Sequence, residues 1–220
     1  MNRLLLATRS LDKACEIREI LKSAGCDVEL VSLEEARVAW SSAEEEIEDQ
    51  DSFLGNARKK AEYFSRLTGL PTVADDSGVE VIALLGKPGV KSRRFALNAA
   101  SLAGKPLDAA NNAELLRRLH GADEKRRRAS YTCVAVLMRR PNAPPEEFTG
   151  RCWGRILEEP RGTGGFGYDP LFFRGLGQDV RRAEAGGEAR GEPPRGGLSA
   201  AGRGAEGEAV VVSDDRQSAD

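Results

Sequence analysis

Leu4-Leu5-Leu6-Ala7-Thr8-Arg9-Ser10-Leu11-Asp12-Lys13 is the stretch on which the fold turns. Its first four residues form a short apolar run, the pattern of a strand inside a parallel sheet. Thr8 to Lys13 is polar and turn-like. Leu11, Ala14, Cys15, Ile17, Ile20 and Leu21 then recur at helical spacing, and Gly25 supplies a stop. Val28 to Leu33 reads as a second strand. Strand, loop, helix, strand in that order predicts an α/β fold with three layers around a sheet.

Reading outward, Glu44 to Asp51 is an acidic, solvated loop. Phe53, Ala57, Lys60, Ala61 and Phe64 follow helical spacing, closed by Gly69 before Pro71. Thr72 to Ala74 is a short strand ending in Asp75-Asp76-Ser77-Gly78, and Val79 to Leu85 is a further apolar stretch. Asn111 to Leu119 is a helix. Ser130 to Met138 is a strand expected to be buried on both faces, with Phe148 to Ile156 as its neighbour after the Pro141 to Pro145 turn.

The composition narrows the function. The 220 residues suit one domain with two lobes, and 40% hydrophobic against 31% charged residues suits a globular protein. A net charge of -2 gives no global basic field to attract nucleic acid. No apolar run is long enough to cross a bilayer, and the start is too short and too soon charged for a signal peptide. Cys15, Cys26, Cys133 and Cys152 are scattered and the one histidine is His120, so no zinc site is expected. The thiols read as reduced, core or near-core residues of a cytoplasmic protein.

Three motifs can carry chemistry. Thr8-Arg9-Ser10-Leu11-Asp12-Lys13 sets hydroxyls, backbone N–H groups and a lysine at a helix N-terminus, which suits a phosphate; it equally suits an ordinary cap with Ser10 as N-cap. Asp75-Asp76-Ser77-Gly78 offers two carboxylates for Mg²⁺ or for general-base work on water, and also reads as a polar turn. In Gly162 to Pro170 four glycines alternate with Phe166, Tyr168 and Asp169. That pattern lets backbone approach a ligand and an aromatic face stack on a base, and it also reads as a Gly-rich surface loop.

Together these residues resemble the non-canonical purine nucleoside triphosphate pyrophosphatases, the inosine/xanthosine triphosphatase family. The resemblance runs from residue 1 to about 173. It rests on LATRSLDK at 6–13, E-x4-F-x2-NA-x2-KA from Glu48 through Ala61, ADDSGVEV at 74–81, KPGVKSRRFA at 87–96, NNAELL at 111–116 and GTGGFGYDPLFF at 162–173. It implies an α/β fold, a three-layer mixed sheet whose two lobes flank a deep nucleotide cleft, usually in a homodimer. It implies hydrolysis of ITP, dITP or XTP to the monophosphate and pyrophosphate. By motif, Thr8, Arg9, Ser10 and Lys13 would meet the phosphates and Glu48 and Asp76 would bind Mg²⁺. Asp76 would also act as base toward water, Ser77 would touch the substrate, and Phe166, Gly167, Tyr168 and Asp169 would cradle the purine. Nucleic acid and membrane are not expected partners.

The chain departs from the family in two places. Ser10 stands where an asparagine is usual. At the far end the family carries a segment like TFAEL-x2-EEK-x2-SHRG-x-AL, whose lysine, histidine and arginine contact the nucleotide. This chain has no Ser-His-Arg, which raises the alternative of a non-catalytic or weakened nucleotide-binding remnant. Residues 181–220 have no aromatic residue, no Ile and no Met, so residues 178–220 are expected to be an atypical, disordered tail beyond a 1–177 pyrophosphatase domain. Yet DVRRAEAGGEARGEPPRGGL at 179–198, written as codons and read one base later, allows the missing string. The tail is therefore expected to arise from a one-base frameshift at or before about Gly177. Sequencing the gene across codons 170–180 checks this: codons that cannot spell the string one base later end the idea.

Overall fold

The computed structural model describes residues 3–162 and 165–174. The elements in chain order are strand β1 (Arg3–Leu6), helix α1 (Leu11–Ser23), β2 (Glu29–Ser32), α2 (Phe53–Thr68), β3 (Thr72–Val81), α3 (Gly104–Arg118), β4 (Arg128–Met138), β5 (Glu146–Ile156) and β6 (Phe172–Phe173). They build one six-stranded mixed sheet in the order β2-β1-β3-β4-β5-β6. β1 runs parallel to β2 and β3, and the remaining pairs are antiparallel. The α/β expectation holds. The 178–220 tail and its reading frame lie outside the described residues.

Local chemistry accounts for the helix ends. Ser10 caps α1, its Oγ accepting the Lys13 N–H, and Ser52 caps α2 by accepting the Gly55 N–H. Gly69 ends α2 in the left-handed conformation, φ 71°.

Two apolar clusters hold the sheet. Phe53, Ala57, Ala61 and Phe64 of α2 pack on Leu5, Val31, Ala74, Val134 and Val136. Val79, Val81, Ala129 and Ile156 pack with Leu115 and Leu119 of α3 and with Tyr168 and Leu171. Side chains alternate along a strand, so Ala74 and Val79 of β3 face opposite sides of the sheet. Helices α2 and α3 therefore cover opposite faces, which gives the three layers.

Five local expectations need correction. Asp75-Asp76-Ser77-Gly78 is not a strand end or a turn. β3 runs through it unbroken, because β4 pairs with every residue from Thr72 (opposite Met138) to Val81 (opposite Ala129). The ladder overrides the turn propensity of the tetrapeptide. β4 is not buried on both faces either: buried residues alternate with half-exposed ones, and Cys133 is exposed. Cys15 and Cys26 are exposed as well. The apolar stripe of α1 buries only Ala14, with Leu11 80% and Ile20 64% exposed. Finally, α3 begins seven residues before Asn111, at Gly104.

β1 is only four residues long and meets β3 at two positions, Leu5 opposite Thr72 and Leu6 opposite Val73. One more bond follows, from the Ala7 N–H to the Val73 carbonyl at 2.8 Å. Beyond it the chain leaves the sheet. That edge of β3 next makes a protein bond at Val79, whose N–H donates to Ser92 Oγ at 3.0 Å. The gap between these two points is where the cleft opens.

Gly78 is fixed by contact, since a Cβ there would lie 2.5 Å from the Gly89 carbonyl oxygen, 3.0 Å from the Phe53 ring and closer still to Ser92 Oγ. Gly78→Ala is expected to lower stability by about 2–3 kcal/mol through overpacking, read as a shifted urea midpoint. An unshifted midpoint would show that the strand relaxes freely.

Candidate active site

A cavity of about 440 Å³ follows the free edge of β3. Its wall is drawn from distant segments: Thr8 to Lys13, then Glu44, Ile47 and Glu48, Lys60, Asp76 to Gly78, Asp108 and the loop Phe166 to Tyr168. A volume of this order suits a nucleotide-sized ligand.

Lys13 lies in the first turn of α1 and places Nζ 2.7 Å from Asp75 Oδ2. Burial alone would pull the ammonium down, but the Asp75 carboxylate and its hydrogen bond hold it above the ordinary lysine value. The amine is therefore charged. Thr8 Oγ1 accepts the Ser10 N–H at 3.2 Å and Ser10 Oγ accepts the Lys13 N–H at 3.4 Å. Both hydroxyls keep their proton to offer a ligand. Arg9 lines the cavity too, but its guanidinium is occupied. It donates to Glu44 at 2.6 and 3.0 Å and to the carbonyls of Val38 and Ala39 at 3.0 and 3.2 Å. Arg9 thus acts here as a strap across the 38–44 segment.

The next residue of β3 points the other way. Asp76 meets α2, where Asn56 Nδ2 donates to Asp76 Oδ2 at 2.9 Å. Asn56 is almost fully buried, and its own Oδ1 accepts the Gln50 N–H at 2.9 Å. One side chain thereby ties the acidic loop before α2 to β3. Lys60, one turn further along α2, sits 3.1 Å from Glu48 Oε1 and 3.9 Å from Asp76 Oδ1. Arg94 donates to the Glu48 carbonyl at 2.9 Å.

The two carboxylates are pushed in opposite directions. Burial raises Glu48, but Lys60, and then Arg94, hold it below the ordinary glutamate value. Burial raises Asp76 as well, and Lys60 and Asn56 offset that only in part, so Asp76 stays above the ordinary aspartate value. Opposed shifts in one site suit one ligand-like and one base-like carboxylate. Cys133, opposite Ser77 in the ladder, has an accessible surface, yet the protein crowded around its sulfur and then the Asp75 carboxylate push it up to about 11, so it is no thiolate nucleophile at neutral pH.

In the loop, Phe166 is half-buried at the cavity wall. The ring of Tyr168 is buried, and its hydroxyl donates to the Ser92 carbonyl at 2.8 Å. Tyr168 therefore shapes the floor of the site. Asp169 is exposed and turns its carboxylate onto its own loop, accepting the Phe166 N–H at 3.0 Å. Ser77 lines the cavity.

The structure brings Thr8, Ser10, Lys13, Glu48, Asp76, Ser77, Phe166, Gly167 and Tyr168 to one cavity, and leaves Asp169 at its border. It adds Asn56, Lys60, Asp108 and Asn112, which the sequence reading did not single out. Asn56 and Lys60 had a visible signal: they are polar residues on the same helical stripe as Phe53, Ala57, Ala61 and Phe64. Among the described residues no helix is long and apolar enough to cross a membrane.

Comparison with known proteins adds three matches. The family model of the Ham1 family matches residues 4–190. A relative from Geobacter sulfurreducens named dITP/XTP pyrophosphatase is 45% identical over 173 residues, which is 79% of this chain and 80% of that protein. A solved HAM1 protein from Coxiella burnetii superposes with a TM-score of 0.64 at 37% identity, covering 78% of this chain and 81% of that one.

Lys60 faces two carboxylates, Glu48 and Asp76. The depressed value of Glu48 means this pairing stabilises the fold above about pH 4.5 and is lost as pH falls further. Lys60→Met is expected to cost about 2 kcal/mol at pH 7, less than a fully buried pair because Glu48 keeps solvent contact. The deficit shrinks as the pH approaches 4. Urea unfolding at both pH values checks it, and an equal deficit at the two would refute the pairing.

Proposed function

The chain belongs to the Ham1 family, and on that footing we propose that it hydrolyses dITP, XTP and ITP to the nucleoside monophosphate and pyrophosphate, clearing them from the nucleotide pool. One observation carries the reading: Lys13, Glu48, Asp76 and Phe166, from four separate segments, line a single cavity. A cation for phosphate, two carboxylates and an aromatic wall are the parts that a nucleotide with a polyphosphate tail requires.

Mg²⁺ fits the donor set. Glu48 and Asp76 are hard oxygen donors, and the space between them already accepts one positive charge, the Lys60 ammonium. Magnesium is commonly held by one or two carboxylates together with substrate phosphate and water. When bound to Glu48 and Asp76 it would neutralise charge on the phosphate oxygens.

The protein's own groups supply the rest. Lys13 offers its ammonium to the phosphate tail, and the Thr8 and Ser10 hydroxyls donate beside it. Asn56 fixes the Asp76 carboxylate through Oδ2. Oδ1 is left to take a proton from water as the water oxygen bonds the α-phosphorus. The bond from that phosphorus to the bridging oxygen then breaks, and pyrophosphate leaves. Ser77 contacts the substrate beside this centre. A 6-oxo purine presents an N1–H donor where adenine presents an acceptor. A site matched to the former leaves a polar group unpaired with the latter, at a cost of about 1–3 kcal/mol.

A homodimer completes the proposal. Leu85 and Leu97 are 94% and 95% exposed and offer apolar surface to a second copy. A cytoplasmic location agrees with four free cysteines.

Pyrophosphate release with Mg²⁺ tests the reading. The expected result is cleavage of ITP and XTP well above dTTP, with Asp76→Asn slower by about 10²–10⁴-fold. A wild-type chain that binds ITP yet is as inert as Asp76→Asn is the nucleotide-binding remnant instead.

A further inference from the structure

Gly167 lies in the middle of the Phe166 to Asp169 loop with left-handed backbone, φ +59°. Helix α3 grips it by both polar groups. Its N–H donates to Asp108 Oδ2 at 3.0 Å, and its carbonyl accepts from Asn112 Nδ2 at 2.9 Å. Asp108 and Asn112 are four residues apart, on one face of the helix. A glycine could adopt many conformations, and one held at both N–H and C=O cannot rotate either peptide plane freely. The residues on its two sides are thereby set in different roles. Tyr168 goes into the core, where its hydroxyl reaches the Ser92 carbonyl, and Phe166 stays at the cavity wall.

Asn112 also carries a liability. Its Oδ1 is buried and has no partner among the described residues. An unpaired buried acceptor destabilises the fold, and an apolar side chain of similar size would remove that defect. A residue kept at such a cost has its use in the bond that its Nδ2 makes, and that bond goes to the loop.

We propose that Asp108 and Asn112 are positioning residues for the base. By fixing the Gly167 peptide they hold Phe166 ready as a platform, so that a purine meets an ordered loop, while the groups that face the phosphates are untouched. The inference deepens the pyrophosphatase reading and rests on it. Its signature is loss of affinity for the base alone, without loss at the reacting phosphate.

The test uses the full chain with Asp108→Ala, Asp108→Asn and Asn112→Leu. It reads kcat and KM for ITP and the inhibition constant of tripolyphosphate, which has no base. Asp108→Ala and Asn112→Leu are expected to raise KM about tenfold, with kcat within about twofold and tripolyphosphate inhibition unchanged. Asp108→Asn, which keeps an acceptor oxygen for the Gly167 N–H, restores KM. Asn112→Leu unfolds no more than about 3 °C below the wild type. The inference is overturned by an unchanged KM, by tripolyphosphate inhibition weakening in parallel, or by Asn112→Leu melting markedly lower. A wild type inert toward ITP sinks the pyrophosphatase reading itself, a result separable from these.

Discussion

The site exists because β1 stops early. A strand of four residues pairs with only two positions of β3, and the next part of that edge, Asp76 to Gly78, faces a cavity before Val79 is bonded again by Ser92. A sheet edge with an open flank exposes side chains from both of its faces to one space. Consecutive residues of a strand point to opposite faces. Asp75 therefore reaches α1 and pairs with Lys13, and Asp76 reaches α2 and pairs with Asn56 and Lys60. Had β1 continued for three or four residues, its ladder would have filled this gap. The two helices would then have addressed separate surfaces.

That arrangement concentrates charge in a half-dry space, and the structure balances it pair by pair. Lys13 is held charged by Asp75, and Glu48 is held charged by Lys60. Asp76 is the carboxylate left least compensated, with an amide and a cation at 3.9 Å for support. Such pairs contribute little over apolar side chains in their place, because desolvation consumes most of the attraction, although removing one partner leaves the other uncompensated. What they do supply is position: each one anchors a side chain from one element to a side chain from another. The same logic separates Arg9 from Lys13. They are four residues apart where β1 gives way to α1, but Arg9 is held by Glu44 and two carbonyls, while among the described residues Lys13 is held by the Asp75 carboxylate.

Local signals were legible in the sequence and long-range ones were not. The β1–α1 turn and its Ser10 cap could be read directly, since strand, cap and helix are written within about 20 consecutive residues. Asp75-Asp76-Ser77-Gly78 was misread as the end of a strand because its residue types favour turns, whereas β4, more than 50 residues on, forces it straight. The thiols were placed near the core on residue type. Three of the four are exposed, and in α1 the cause is that the helix buries a single residue. The ion pair of Arg9 is invisible in the sequence because its partner Glu44 is 35 residues away. Asp108 gives no signal and Asn112 stands only inside the NNAELL string, with no role attached: they bond to a glycine 59 and 55 residues on, and neither spacing nor composition marks such a pair.

The Phe166 to Asp169 loop and the strand that carries the carboxylates also share a support. Tyr168 donates to the Ser92 carbonyl, and the hydroxyl of the same serine accepts the Val79 N–H and donates to the Gly89 carbonyl at 2.6 Å. Ser92 thus stands between the loop that walls the cavity and the strand that carries Asp76, three residues before Val79. It fills the hollow left by the missing side chain of Gly78. A buried hydroxyl bonded on both sides has little freedom to shift, and close packing leaves no slack around it. The distance between base wall and carboxylates is therefore set by side chains packed inside the protein. A rigid spacing of that kind keeps the Phe166 wall and the Asp76 carboxylate in a fixed register across the cavity.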